Sequence, residues 1–537
     1  MKNVEIIQQW QLFGLHPRLL EDDVLESCQK AGITSLESYV LWKDAERKKG
    51  KFDWSGYDIL VEKLKKHNLK WVPFLILGPN YSLPEWFLES EDSFFFKCLE
   101  HQMESGNQSI WNPYLPKYIE TFLERFSEHY GGKGILESIL LGVSGNWGEA
   151  IYPAGGIYVG NFHTHFGFWC GDKHALESLK SSQKSPPFLR KERRKEFLGW
   201  LMAAVSKLPR FIKSWLKIIL RATDKRFLSF GKTSFQTRDS DFVGWYLDSM
   251  LNWAEFWLKT ARKFFPEEKI YLVTGGDGDP ISGADFARQT KLASKYNAGI
   301  RITNQSNDYS QSFILTRLVS SAAKFYKGYF TTEEGPIRQT KEGVVMRIFD
   351  AATSGAQGLY SLNFVSVELF PFSIRPNLPL GQLTPAGEGL KENLHHLKES
   401  GEPVIKTAVF FPNTSIILKP DVLTSLYNRC AKLRDILDFD LIDETMIKDG
   451  ALQKYENLLV LEGELPKNNI PSSISIIYSP KEIKNEEIDD EHDGIYTTRF
   501  KDKIMYYNST NKKIKKNTPF LKRLVEIEPN SITLINI

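Results

Sequence analysis

The chain is poor in cysteine. Four thiols, Cys28, Cys98, Cys170 and Cys430, are scattered over 537 residues. That spacing makes neither a disulfide framework nor a metal knuckle, and it suits a reducing compartment. Charge of one sign is also lacking: Lys and Arg exceed Asp and Glu by only 3, which excludes a nucleic-acid partner held by bulk electrostatics. No run reaches the ~18 apolar residues of a membrane span. Residues Met1–Trp10 hold one early Lys and no continuous apolar core, unlike a signal peptide. The expected location is therefore the cytoplasm. P-loop and Ser nucleophile-elbow patterns are absent, which argues against phosphate-cradling and Ser-hydrolase chemistry.

What the chain has is a core's worth of apolar residues (42%) and many aromatics (13%). Aromatic faces beside polar groups suit sugars, although large cores use them too. Eight apolar strand patterns recur: Ile6–Leu12, Thr34–Trp42, Leu69–Leu77, Leu136–Val143, Lys269–Thr274, Gly299–Thr303, Gly328–Thr332 and Gly358–Asn363. Amphipathic segments lie between most of them, namely Leu19–Ala31, Trp54–His67, Lys117–Tyr130, Trp245–Phe265, Gly283–Tyr296 and Gln311–Tyr326. Strands alternating with helices predict βαβ units, and eight repeats predict an α/β chain closed into a (β/α)8 TIM barrel over residues 1–398.

Two stretches break the regularity. A helical insertion is expected at about 155–240, carrying fifteen Lys/Arg against three Asp/Glu between Lys180 and Lys232. A basic amphipathic helix within 190–226 could make peripheral contact with an anionic membrane; the alternative is the charged outer face of a lid. The second break is near Ser400-Gly-Glu-Pro403. Beyond it, residues 399–480 read as a small α/β domain and 481–537 as a terminal β module.

Two motifs carry chemistry. Leu141-Gly-Val-Ser-Gly-Asn-Trp-Gly-Glu149 and Gly328-Tyr-Phe-Thr-Thr-Glu333-Glu334 are both buried strands that deliver a carboxyl group where the strand ends. Two such acids at one barrel mouth are the usual means of breaking a glycosidic bond. Glu149 is the candidate acid, because Trp147 beside it offers an apolar setting that keeps a carboxyl protonated. Successive strand residues face opposite ways, so only one of Glu333 and Glu334 should face the cleft. Trp42, Glu46 and Trp111 are candidate sugar platforms or hydroxyl partners, and Asn304 and Asn363 end the sixth and eighth strands. Asp277 and Asp279 read as a Gly/Asp turn. His163 and His165 form a His-x-His pair with no third ligand marked by spacing, so no metal and no cofactor are expected.

The run Glu37-Ser-Tyr-Val-Leu-Trp42 with Glu46, Gly50-Lys-Phe-Asp-Trp54 and Tyr57, then Leu75-Ile-Leu-Gly-Pro79 with Leu83-Pro-Glu-Trp-Phe87, resembles the second and third strands of family-42 β-galactosidases. Thr332-Glu333-x-Gly335 resembles the nucleophile strand of retaining (β/α)8 glycosidases. The Gly148-Glu149 pair and Phe168-Trp-Cys-Gly-Asp172 look more like β-amylases, whose mechanism inverts. Thr407–Gly463, with Phe439-Asp-Leu-Ile-Asp443 and Asp449-Gly450, resembles the flavodoxin-like oligomerisation domain of family-42 enzymes. The resemblance implies a glycoside hydrolase acting on a terminal bond of an oligo- or polysaccharide, with Glu149 as acid/base and Glu333, or alternatively Glu334, as nucleophile. It also implies that Asn146 and Trp147 touch the sugar, Asn146 in place of the Asn that usually precedes the acid, and that the chain forms a homo-oligomer. The remaining readings are an inverting β-amylase-like hydrolase, a transglycosylase, and a non-catalytic carbohydrate-binding barrel tethered through the basic insertion.

Overall fold

A computed structural model describes residues 3–9, 20–153, 162–164, 166–182, 240–304, 306–334, 340–366, 379, 381–483, 494–518 and 523–537. The basic stretch 190–226 and His165 lie outside the described residues. Among those described, no helix is long and apolar enough to cross a membrane.

Eight parallel strands close into a barrel: Glu5–Gln9, Ser35–Leu41, Lys70–Ile76, Ile139–Gly142, Ile270–Thr274, Gly299–Thr303, Phe330–Glu333 and Gly358–Ser361. Closure is made by the first strand pairing with both the second and the eighth, with Ile7 opposite Ser35 and Tyr360. Most strands are apolar on both faces, as burial inside a ring of helices requires; the sixth and seventh place Arg301, Thr303 and Glu333 on the inner one. The outward set (Ile6, Leu36, Leu75, Leu141, Leu272, Ile300, Leu359) packs on the helices. The inward set (Ile7, Val72, Phe74, Ile76, Leu140, Tyr271, Val273, Tyr360) fills the barrel.

All six helices expected from periodicity are present, as Asp22–Lys30, Ser55–Lys66, Leu115–Tyr130, Ser240–Phe264, Phe286–Lys295 and Tyr309–Phe325. Two more, Lys341–Ser354 and Pro385–Glu399, complete the ring. Lys341–Ser354 is buried at every position from Gly343 onward. It has no polar face to reveal a helical period, because Pro385–Glu399 and the C-terminal strands Lys503–Asn508 and Ser531–Asn536 cover its outside.

Beyond the barrel, four parallel strands form a sheet in the order Asp440–Asp443, Thr407–Phe411, Asn457–Leu459, Ser475–Ile477. This is the 2-1-3-4 order of flavodoxin-like folds. An antiparallel three-stranded sheet (Ile495–Arg499, Lys503–Asn508, Ser531–Asn536) and a hairpin (Ile514–Thr518, Arg523–Ile527) follow. Buried charges tie these sheets to the barrel. Arg317, with no exposed surface, reaches Asp438 at 3.0 Å and Asp440 at 3.4 Å, and Lys324 lies 2.6 Å from Asp440. Arg434 bonds Tyr309 on the barrel and Thr498 on the three-stranded sheet.

Candidate active site

The site is built at the carboxyl ends of the strands, where loops converge on the barrel mouth. The segment after the fourth strand turns sharply back on itself: the Val143 N–H donates to the Gly148 carbonyl at 2.9 Å. Gly148 has φ of +100°, and a Cβ there would sit 2.6 Å from Phe74 and 2.7 Å from Ile76, so only glycine lets the turn lie on the barrel floor. The Ala150 N–H then donates to the Val273 carbonyl, and the Gln289 side chain donates to the Ala150 carbonyl. These bonds pin Glu149 between them, partly exposed at the mouth.

Glu333 ends the seventh strand and points inward. Its Oε1 accepts from the Gln9 amide at 2.7 Å and meets the Arg301 guanidinium at 2.9 Å; its Oε2 accepts from the Thr303 hydroxyl at 2.6 Å. Gly275 marks how near the two acids lie. A Cβ on it would be 3.4 Å from Cγ of Glu149 and 3.7 Å from Oγ1 of Thr303, the hydroxyl that holds Glu333. Glu37, on the second strand, completes the cluster: Gln9 donates to it at 3.0 Å, and Arg301 stands 3.8 Å away. Arg301 is 2% exposed, with its guanidinium over the rings of Phe74 and Tyr360.

The electrostatics follow from this burial. Desolvation pushes the Glu149 carboxyl above its ordinary range; the charge of Glu333 pushes the same way, while backbone hydrogen bonds and Arg301 oppose it. Burial pushes Glu37 up to about 7, with Arg301 pulling it down and Glu333 raising it. Two acids that differ in setting, sharing one guanidinium, can divide the work of proton donor and charged partner.

Glu334 faces away from Glu333, as strand alternation requires. Ser361 and Asn363 donate to its Oε1, the latter at 2.7 Å, and Oε2 meets no donor among the described residues. Burial, opposed chiefly by the charge of Arg347, pushes it up to about 7.

The other expected residues are distributed unevenly. Asn146 is buried, accepts from the Asn107 amide at 3.0 Å, and lies in the same turn as Trp147, which packs on Tyr81. Trp111 is half-buried and stacked on Tyr152 and Trp245. Asn363 is held against Glu334. Trp42 has no exposed face to offer a sugar: it is fully buried among Trp86, Phe87 and Tyr118, and its indole donates to Glu46 at 2.7 Å. Glu46 also accepts from the Gly50 N–H, so it braces a loop. Asn304 turns to the following helix and donates to Ser312 and Thr316. Asp277 and Asp279 take up turn hydrogen bonds. Gln9, Glu37, Arg301 and Thr303 were not anticipated. The available signal was a charged or amide residue inside an apolar strand, as in Gly299-Ile-Arg301-Ile-Thr303.

No protein-family profile matches the chain. Among curated proteins, the thermophilic β-amylase of Thermoanaerobacterium thermosulfurigenes is 22% identical over 249 residues. That match spans 43% of this chain and 42% of that enzyme, less than half the length of either. Among solved structures, the catalytic domain of β-amylase from Paenibacillus polymyxa superposes with a TM-score of 0.54 at 17% identity, covering 74% of this chain and 99% of that one. The β-galactosidase of Halorubrum lacusprofundi gives 0.57 at 12% identity over 86% and 69%. A family-42 β-galactosidase from G. stearothermophilus gives 0.53 at 12% identity over 86% and 68%. The fold is one that glycoside hydrolases use. β-Amylase and β-galactosidase barrels are thus both among its structural neighbours, and an eight-stranded barrel carries Glu149 and Glu333 here.

Proposed function

We propose that this chain is a glycoside hydrolase that cleaves a terminal glycosidic bond of an oligo- or polysaccharide, with Glu149 as acid/base and Glu333 as nucleophile. One observation carries the reading: Gly275 lies between Glu149, raised in pKa by burial, and Thr303, whose hydroxyl together with Gln9 and Arg301 orients Glu333. The raised acid holds a proton for the leaving oxygen. Glu333 stands against the anomeric carbon, forms the glycosyl–enzyme ester, and releases the sugar when water, deprotonated by Glu149, attacks. This is a retaining, β-galactosidase-like course, and a sugar hydroxyl in place of that water would make it a transglycosylation. Trp111 and Trp147 are partly exposed and are the aromatic residues assigned to the sugar.

A second reading rests on Glu334. Its carboxyl is raised to about 7, a value suited to a general base near neutrality, and to reach a water at the mouth it would have to turn from Ser361 and Asn363. With Glu334 activating water, the course would invert, as the β-amylase likeness suggests. A panel of nitrophenyl α- and β-glycosides assayed with Glu149→Gln, Glu333→Gln and Glu334→Gln tests both. Loss of activity on one sugar in the Glu149 and Glu333 variants supports the first reading, and survival of Glu333→Gln with loss in Glu334→Gln supports the second. Activity unchanged in all three variants overturns the proposal.

A further inference from the structure

A second cluster of chemically capable side chains lies on the rim of the mouth, apart from the carboxyl groups. The third barrel strand is followed by a hairpin, Phe95–Lys97 with Glu104–Gln108. Its tip, Cys98 to Met103, is folded tightly: the Cys98 N–H donates to the Met103 carbonyl at 2.9 Å and the Gln102 N–H to the Cys98 carbonyl at 3.1 Å. The tip is also fixed to the segment that follows the fourth strand. The Leu99 N–H donates to the Phe168 carbonyl, and the Gly171 N–H donates to the Lys97 carbonyl, both at 2.7 Å. His163 belongs to that same connection. Its neighbour Phe162 stacks on Phe95 and packs against the cluster inside the barrel.

These constraints bring three soft or borderline donors together. Cys98 Sγ and one ring nitrogen each of His101 and His163 lie within 4.8 Å of one another. His101 Nδ1 and His163 Nε2 are 3.0 Å apart, with the rings nearly perpendicular at 87°. Around a tetrahedral zinc ion, with Zn–N of about 2.0–2.1 Å and Zn–S of about 2.3 Å, nitrogens sit about 3.4 Å apart and sulfur about 3.6 Å from each. The two nitrogens need only a few tenths of an ångström of outward movement to reach that separation, and the sulfur already lies within 4.8 Å of both. The Met103 N–H donates to Cys98 Sγ at 3.4 Å, a contact that would support a thiolate.

We propose that Cys98, His101 and His163 bind a divalent cation of the zinc class, clasping the hairpin after the third strand to the connection after the fourth. Thiolate with two imidazoles selects zinc over magnesium or calcium, which prefer oxygen. A thiol ligates as its thiolate and an imidazole as its neutral ring. Binding therefore releases one proton, from sulfur, as the S–M bond forms. The site stands independently of the carboxyl groups and of the glycosidase reading.

The full chain, stripped with chelator, is titrated with Co(II) and then Zn(II). The expected result is one equivalent of Co(II) in a tetrahedral site with a thiolate-to-cobalt absorption band, release of about one proton per ion, and displacement by Zn(II). Cys98→Ser should abolish the charge-transfer band, and His163→Ala should weaken binding by about 100-fold or more. His101→Ala changes an exposed side chain that can be removed without unfolding the chain, and it should weaken Co(II) to the same extent. Failure to bind Co(II) at micromolar concentration would overturn the proposal. So would a band that persists in Cys98→Ser, or an affinity unchanged in His101→Ala.

Discussion

Glu37 offers a perturbation whose sign and size follow from the structure. It is 2% exposed, receives one hydrogen bond from Gln9, and shares Arg301 with Glu333, from which that guanidinium is nearer (2.9 Å against 3.8 Å). Burial raises its carboxyl from 4.5 to about 7. An acid whose pKa is higher folded than unfolded favours folding fully only below the unfolded value. That contribution is lost as pH climbs from about 4.5 to about 7. The displacement corresponds to about 3 kcal/mol. Glutamine has the same shape, accepts from Gln9 through its carbonyl oxygen, and carries no charge at any of these pH values. Glu37→Gln should therefore match the parent near pH 4.5 and exceed it increasingly toward pH 8, with about 3 kcal/mol as the ceiling because its NH2 needs a new acceptor. For a cooperative unit of about 400 residues, with an unfolding entropy of about 2 cal/mol/K per residue, that is about 4 °C in Tm. Thermal unfolding followed by circular dichroism at pH 5, 6, 7 and 8 reads it. A Tm difference that is flat across this range, or a variant less stable than the parent at pH 8, would refute the reasoning.

Other consequences concern the acid, its turn and the anchoring of the C-terminal sheets. Because the Glu149 carboxyl is raised and must be protonated to act, kcat/KM on aryl glycosides should hold through the ordinary carboxylate range. It should fall only as pH rises past the displaced value, and Glu149→Gln should lose about 10³-fold or more with poor leaving groups. Gly148→Ala drives a methyl into Phe74 and Ile76; it should cost about 1–3 kcal/mol and lower kcat about 100-fold by moving Glu149, measured by denaturant unfolding and steady-state kinetics. Arg317→Met removes the 3.0 Å partner of Asp438, which keeps the Thr498 hydroxyl and the more distant Arg434, while Asp440 keeps Lys324; urea titration should show a loss of about 2 kcal/mol.

The barrel was legible because most strands are short apolar runs and most connecting helices keep one polar face, as in Leu115–Tyr130. Lys341–Ser354 was illegible for the opposite reason, since neighbours cover all of it and erase the period. The acid-bearing turns could be read locally, Gly148-Glu149 most clearly. The cluster around them could not. Gln9, Glu37 and Arg301 come from the first, second and sixth strands and meet only once the barrel closes. Trp42 was misjudged because the chain winds into a helical turn at that residue, Trp42–Ala45, which delivers the indole into the aromatic layer of Trp86, Phe87 and Tyr118. His163 gave no sign of Cys98 and His101, which precede it by more than sixty positions and are brought close by the hairpin.

The central claim is the division of labour between Glu149 and Glu333, and azide rescue tests it most directly. Glu149→Ala and Glu333→Ala are each incubated with an aryl glycoside bearing a good leaving group and sodium azide, and the glycosyl azide is identified by NMR. The account predicts a product of retained configuration from Glu149→Ala, where azide attacks the glycosyl–enzyme, and one of inverted configuration from Glu333→Ala, where azide takes the place of the missing carboxylate. Wild-type activity in Glu333→Ala, with inverted azide arising instead from Glu334→Ala, would contradict it.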